Sequence, residues 1–225
     1  FSLILAAVAD INHVSMHRYY RNRIMDAYMP GFFKNKDRKK ISPDSFYLSD
    51  IETNSDAPYH IINATIQTVD SNNPVLKERS GESFIFSPEY CGSEHTQWIK
   101  TKDYLNNSMN LATAAAISSA AVDANTSITR SRPLSFIMSL FNLRLGYWTF
   151  NPKNYNSRFK IFLNRIITIN ISWYSSLFAD LLGFGLNEKR KIIHLTDGGH
   201  YDMLGLYEMI RRRCAHIVVV DAGND

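Results

Sequence analysis

The chain has 225 residues, 45% hydrophobic and 20% charged, with 13 Phe, 12 Tyr and 3 Trp. That is enough apolar side chain for the core of one domain and too much for a disordered tail or a collagen-like chain. The net charge of +4 comes from 25 basic and 21 acidic residues. Much of the excess sits in one run, Lys34, Lys36, Arg38, Lys39 and Lys40, which excludes a nucleic-acid-binding face spread over the fold.

That run reads as a solvated loop or as a contact with anionic lipid headgroups. No stretch approaches the roughly 20 apolar residues of a membrane span, and no signal peptide precedes the first elements, so a cytoplasmic or membrane-associated protein is expected. Cys91 and Cys214 are far apart and read as reduced, mostly buried thiols. Without a CxxC pair or an HExxH helix, neither a metal nor another cofactor is expected.

In chain order, residues 1–30 have helical spacing and end at Pro30-Gly31, and residues 31–57 are loop-like. The β-branched alternation of 59–68 predicts a strand, Ser71-Asn72-Asn73-Pro74 a turn, and 83–87 a second strand that pairs with the first as a hairpin. Residues 109–122 (MNLATAAAISSAAV) predict a helix whose small side chains permit close backbone approach. Residues 134–150 are strongly apolar and aromatic, and 155–182 mixes basic and aromatic residues in one or two helices before Gly183 and Gly185.

The last 35 residues carry the strongest pattern. Residues 191–196 (KIIHLT) read as a buried strand that runs into Asp197-Gly198-Gly199-His200. Asp202 is placed to cap a helix over 203–213, with Met203, Leu206, Tyr207 and Ile210 on one face and Arg211, Arg212 and Arg213 in its last turn. Residues 215–220 (AHIVVV) read as a second buried strand. Strand, helix, strand at this spacing predicts a βαβ unit, hence an α/β fold with parallel strands flanked by helices.

In such sheets functional groups collect beyond the carboxyl ends of strands, where Asp197 and Asp221 both fall. Only Asp197 is followed by two glycines, which leave a carboxylate unobstructed to act as a general base. The same aspartate also suits a simple turn cap. Ser118 and Ser119 read as small helix residues, Ser93 as a loop cap, His194 as a core residue, and His200 as an exposed loop residue that offers the one route to a Ser-His-Asp arrangement. Asn63 could orient a loop near the site, but reads first as a buried amide satisfying strand ends.

The segment HLTDGGHYDMLGLYEMIRRRCAHIVVVDAGND (194–225) resembles the region around the catalytic aspartate of the patatin-like phospholipases, in particular their large bacterial branch, related to the cytosolic phospholipases. HRYYRNRIMDAY (17–28), YHIINATIQ (59–67), FIFSPEYCGS (84–93), AAAISSAAV (114–122) and FNLRLGYWTFNP (141–152) are similar to the same branch, in order. The resemblance implies a patatin-like sheet and a lipid acyl-ester hydrolase acting on a phospholipid or other acyl lipid through a Ser-Asp dyad. Asp197 matches the dyad aspartate, and Gly198 and Gly199 its turn.

None of the ten glycines belongs to a Gly-x-Ser-x-Gly elbow, and Met203 stands where the family commonly has Asn. The serine and its oxyanion loop are therefore expected upstream, with residues 1–225 as the C-terminal part of a single hydrolase domain. The alternative is a non-catalytic membrane-surface or scaffold module that keeps the fold without the dyad.

Overall fold

The computed structural model describes residues 10–29, 32–34, 39–51, 53, 58–126, 131–154 and 173–221. Two short strands, β1 (Phe32–Lys34) and β2 (Lys39–Ile41), form an antiparallel ribbon of their own. Lys34, Lys39 and Lys40 of the basic run lie in this ribbon, while Lys36 and Arg38 lie outside the described residues.

The main sheet contains β3 (Ile62–Gln67), β4 (Gly81–Phe86), β5 (Tyr90–Ser93), β6 (Gln97–Lys100), β7 (Tyr147–Phe150) and β8 (Ile192–Asp197), in the order β6-β5-β4-β3-β8-β7. Every pairing is antiparallel, and the sheet curls into a half-barrel. β3 and β4 pair as expected, with Ile62 opposite Phe86 and Gln67 opposite Gly81. Their connection is longer than a turn because α3 (Pro74–Arg79) is inserted, capped by the Asn73 carboxamide, which accepts from Val75 N–H at 3.0 Å.

Helices α1 (Ile11–Val14) and α2 (Met16–Tyr28) precede the sheet, and α4 (Leu111–Ser118) packs on it. α4 begins at Asn110, whose side chain accepts from Thr113 N–H at 2.8 Å. Ala112, Ala114, Ala116 and Ala120 are buried, so the helix approaches closely enough for Thr196 Oγ1 to donate to the Ala120 carbonyl at 3.0 Å. The core between α4 and the sheet contains Ala64, Ile66, Phe84, Phe86, Ile117 and Leu195. α5 (Arg132–Leu140) and α6 (Trp173–Leu182) pack against each other, and α7 (Leu206–Arg211) follows β8. The expected helical stretch 155–172 and residues 1–9 lie outside the described residues.

The antiparallel sheet corrects the parallel α/β expectation. Residues 192–197 form β8, but 215–220 belong to no strand and are exposed throughout. The cause is topological: β8 has β3 on one edge and β7 on the other, so neither edge is open to the run that follows α7. α7 is also shorter than the predicted 203–213. Its N-cap is Gly205 at φ 66°, while the Asp202 carboxylate accepts from Leu204 N–H at 3.2 Å and Tyr207 N–H at 2.7 Å. Of the two thiols, Cys91 is buried, which pushes its pKa up to about 11, whereas Cys214 is exposed and not buried as expected.

Hydrogen exchange reads this difference directly. Backbone amides of 192–197 paired inside the sheet should be among the slowest to exchange, and those of 215–220 should exchange within the dead time of a manual experiment. Comparable protection of the two segments would mean that they pair.

Candidate active site at the end of strand β8

Asp197 is the last residue of β8, and a 3-10 turn, Gly198–His200, follows it. Its carboxylate is half-buried, and Oδ1 accepts from Gly199 N–H at 2.6 Å. The turn-cap role and an exposed general base are thus compatible, because the cap engages one oxygen of two. Opposite Asp197 lies Ala64 of β3, which leaves no bulky side chain across the strand end.

The glycines act through space and not through left-handed dihedrals, since neither has positive φ. Gly198 is buried against β3, where a Cβ would lie 2.6 Å from the Asn63 carbonyl oxygen and 2.9 Å from its carbon. The Gly198 carbonyl accepts from Thr65 Oγ1 at 3.3 Å and Asn63 Nδ2 at 3.4 Å. Asn63 Nδ2 also donates to the Asp202 carbonyl at 3.3 Å, so this side chain ties both ends of the turn to β3. At Gly199 a Cβ would stand 3.1 Å from Asp197 Oδ1 and crowd the carboxylate.

His200 is half-buried and not an exposed loop residue. Its Nδ1 lies 3.3 Å from Thr196 Oγ1, and burial lowers its pKa against the opposing pull of Asp197 and of a hydrogen bond to the Ala121 backbone. The imidazole thus braces the turn against the end of α4. Asp221 follows residues 215–220, which form no strand, so it does not stand at the carboxyl end of one as expected. Ser119 Oγ bonds back to the Ala115 carbonyl at 2.9 Å, and Ser93 exchanges hydrogen bonds with Thr96 at the β5–β6 turn, so both are structural.

Two features were missed from sequence. The first is a groove of about 690 Å³ under α7, lined by Tyr59, Ser87, Glu89, Trp98, Arg211 and Arg212. Buried Glu208 holds both arginines, bidentately in the case of Arg211, and their guanidinium groups lie 5.1 Å from the Trp98 ring and 5.8 Å from the Tyr59 ring. The arginines therefore dock α7 as well as complementing its dipole.

The second is a fully buried charge cluster. Arg144 pairs with Asp180 at 2.9 Å, and His194 lies 3.3 Å from Asp123 and 3.5 Å from Asp180, stacked on Trp148 at 4.6 Å. Burial, then the like charge of Asp180, drives the Asp123 pKa well up, while burial drives that of His194 well down. Asp180 is pushed up only to about 6, because Arg144 opposes the cost of burial. Burial thus favours the neutral forms of Asp123 and His194, while Arg144 supports the charge on Asp180. Gly146 is required beside it, since a Cβ there would collide with the Asp123 carboxyl and lie 2.6 Å from His194 Nε2. The cluster is sealed from solvent, with every side chain in its two carboxylate–histidine contacts and its ion pair at most 1% exposed.

Two stability experiments follow. Gly198→Ala should cost about 1–3 kcal/mol in urea denaturation, because the Asn63 backbone must move, and Gly199→Ala should cost less. In the cluster, Asp123→Asn should cost under about 1 kcal/mol, whereas Asp180→Asn, which strands a buried guanidinium, should cost about 3–5 kcal/mol. Equal losses in the second pair would contradict a neutral Asp123. No protein-family model, curated protein or solved structure matches the chain.

Proposed function

We propose that the chain carries the general-base half of a serine acyl-ester hydrolase acting on phospholipids or related acyl lipids. The observation that carries this reading is the setting of Asp197: a half-buried carboxylate at a strand end, one oxygen fixed by Gly199 N–H and no side chain on the next two residues. The resemblance of 194–225 to the patatin-like phospholipases supports the same role.

In this reading the nucleophile is a serine on a Gly-x-Ser-x-Gly elbow upstream of Phe1. With Oδ1 engaged, Asp197 Oδ2 takes the hydroxyl proton as the serine oxygen attacks the ester carbonyl carbon. The tetrahedral intermediate expels the alcohol, which leaves with the proton from Asp197. Water then attacks the acyl-serine, with Asp197 again as base, releasing the fatty acid and restoring the serine. Thr65, Asn63 and His200 hold the turn that aims the carboxylate and take no proton themselves.

In the complete protein, Asp197→Asn should lower ester hydrolysis by about 10²–10⁴-fold or more at an unchanged melting temperature. Asp221→Asn should be nearly silent, and His200→Ala should cost mainly stability. Residues 1–225 alone should not turn over a short-chain ester. A His200→Ala loss equal to that of Asp197→Asn in folded protein would replace the dyad by a triad. Full activity in Asp197→Asn would leave the non-catalytic module as the better reading.

A further inference from the structure

The groove under α7 continues into a second cavity of about 310 Å³. The two share Thr53, Glu89 and Tyr90, so they form one trough on the β5–β6 side of the sheet. Four cations line it: Arg211 and Arg212 in the first cavity, Lys100 and Lys102 in the second. Among the described residues two acids answer them there, Glu208 buried beneath the arginines and Glu89 in the lining. Glu94, at the β5–β6 turn, lies outside the lining. The trough therefore carries two positive charges in excess.

These cations are set in place before any ligand arrives. Glu208 grips Arg211 at 2.9 and 2.8 Å, and Arg212 at 3.2 Å. Trp98 and Tyr59 carry the two guanidinium groups, and the Tyr59 hydroxyl is itself fixed to Ser87 Oγ at 2.9 Å. Among the described residues Arg212 bonds only through Nε, which leaves its two terminal nitrogens to donate. On β6, Trp98 and Lys100 are two residues apart and share a face, so Arg211 over Trp98 and the base of Lys100 are about 7 Å apart along the strand. Tyr90, 43% exposed, stands directly opposite Lys100 on β5.

We infer that this trough binds an extended acidic segment of a partner protein, with carboxylates at alternate positions. Side chains on one face of an extended chain repeat at the same ~7 Å interval, so successive carboxylates meet Arg211 and Lys100 in register. Arginines and partly exposed aromatic rings are the side chains that carry most of the energy in such contacts. Other anions suit the trough less well. A small ligand would stay largely in water in so open a groove, whereas small-molecule sites enclose most of their ligand. Nucleobases need free aromatic faces, and Arg211 and Arg212 already lie on Trp98 and Tyr59. The flat plane of a membrane surface does not reach a floor sunk beneath a helix. Binding here does not depend on the role of Asp197.

The test is fluorescence anisotropy of the intact protein with a fluorescein-labelled peptide of about eight residues alternating Glu and Val. Binding is expected and should weaken with salt. Lys100→Glu/Lys102→Glu should bind about tenfold or more weakly at an unchanged melting temperature. Arg212→Ala should weaken binding as well, and the lysine variant keeps the test decisive if α7 loosens without that arginine. Lys189→Glu/Lys191→Glu, the same charge change at exposed positions outside the trough, should bind like the parent. A peptide of the same composition with its Glu residues in one block should bind more weakly than the alternating one. The inference is overturned if the parent ignores the alternating peptide, or if either trough variant, folded, binds it as the parent does. It is equally overturned if Lys189→Glu/Lys191→Glu loses as much, or if the block peptide binds as well as the alternating one. Tighter binding of single-stranded DNA or of anionic vesicles through the same residues would also overturn it.

Discussion

The ion pair between Arg144 and Asp180 is the constraint on which the rest of the architecture depends. Neither group has access to water, so each must find its partners within the protein. Arg144 meets this demand with Asp180, the Asn142 side chain and the Ile11 carbonyl; Asp180 also takes the Trp148 indole N–H at 3.4 Å. Those contacts fix α6, the approach to β7 and helix α1 relative to one another. Asn12 adds a two-way backbone clamp on Trp148, donating to its carbonyl and accepting from its N–H, both at 2.8 Å. Segments more than 100 residues apart are thus joined by polar bonds, which demand exact geometry where apolar contacts tolerate slippage.

The same pair explains why α5 and α6 bury serines and leave Phe136, Leu140, Phe178 and Leu182 exposed. Once Asp180 is committed to the interior, the face of α6 around it must be interior too, and Ser135 and Ser139 of α5 join that layer. The apolar residues are left outside because helical geometry allows no other place for them. The interior polar layer and the exterior apolar patch are therefore one arrangement seen from two sides.

What could be read from the sequence was what is local. The strand ending at Asp197, the turn after it, the alanine-rich helix and the β3–β4 pair all follow from periodicity, capping and small residues. Neighbourhood could not be read. Residues 215–220 have the composition of a buried strand, but whether a strand finds an open edge depends on β3 and β7, which come from far upstream. The charge cluster was hidden for a related reason. Asp123, Arg144, Asp180 and His194 are separated by 14 to 36 residues, and each alone resembles an ordinary surface or core residue.

The unpaired run after α7 has a consequence for the protein as a material. Ile217, Val218, Val219 and Val220 are four β-branched residues in succession without a charge, and all are exposed. A segment of that kind can satisfy its backbone by stacking on copies of itself at the ~4.8 Å repeat of cross-β fibrils. A charged residue at the end of such a run opposes in-register stacking through like charge, and Asp221 stands at that position in the sequence. Strand stacking of this sort is a many-body event, so concentration, acidity and salt, more than heat, would govern the shelf life of a solution of this chain.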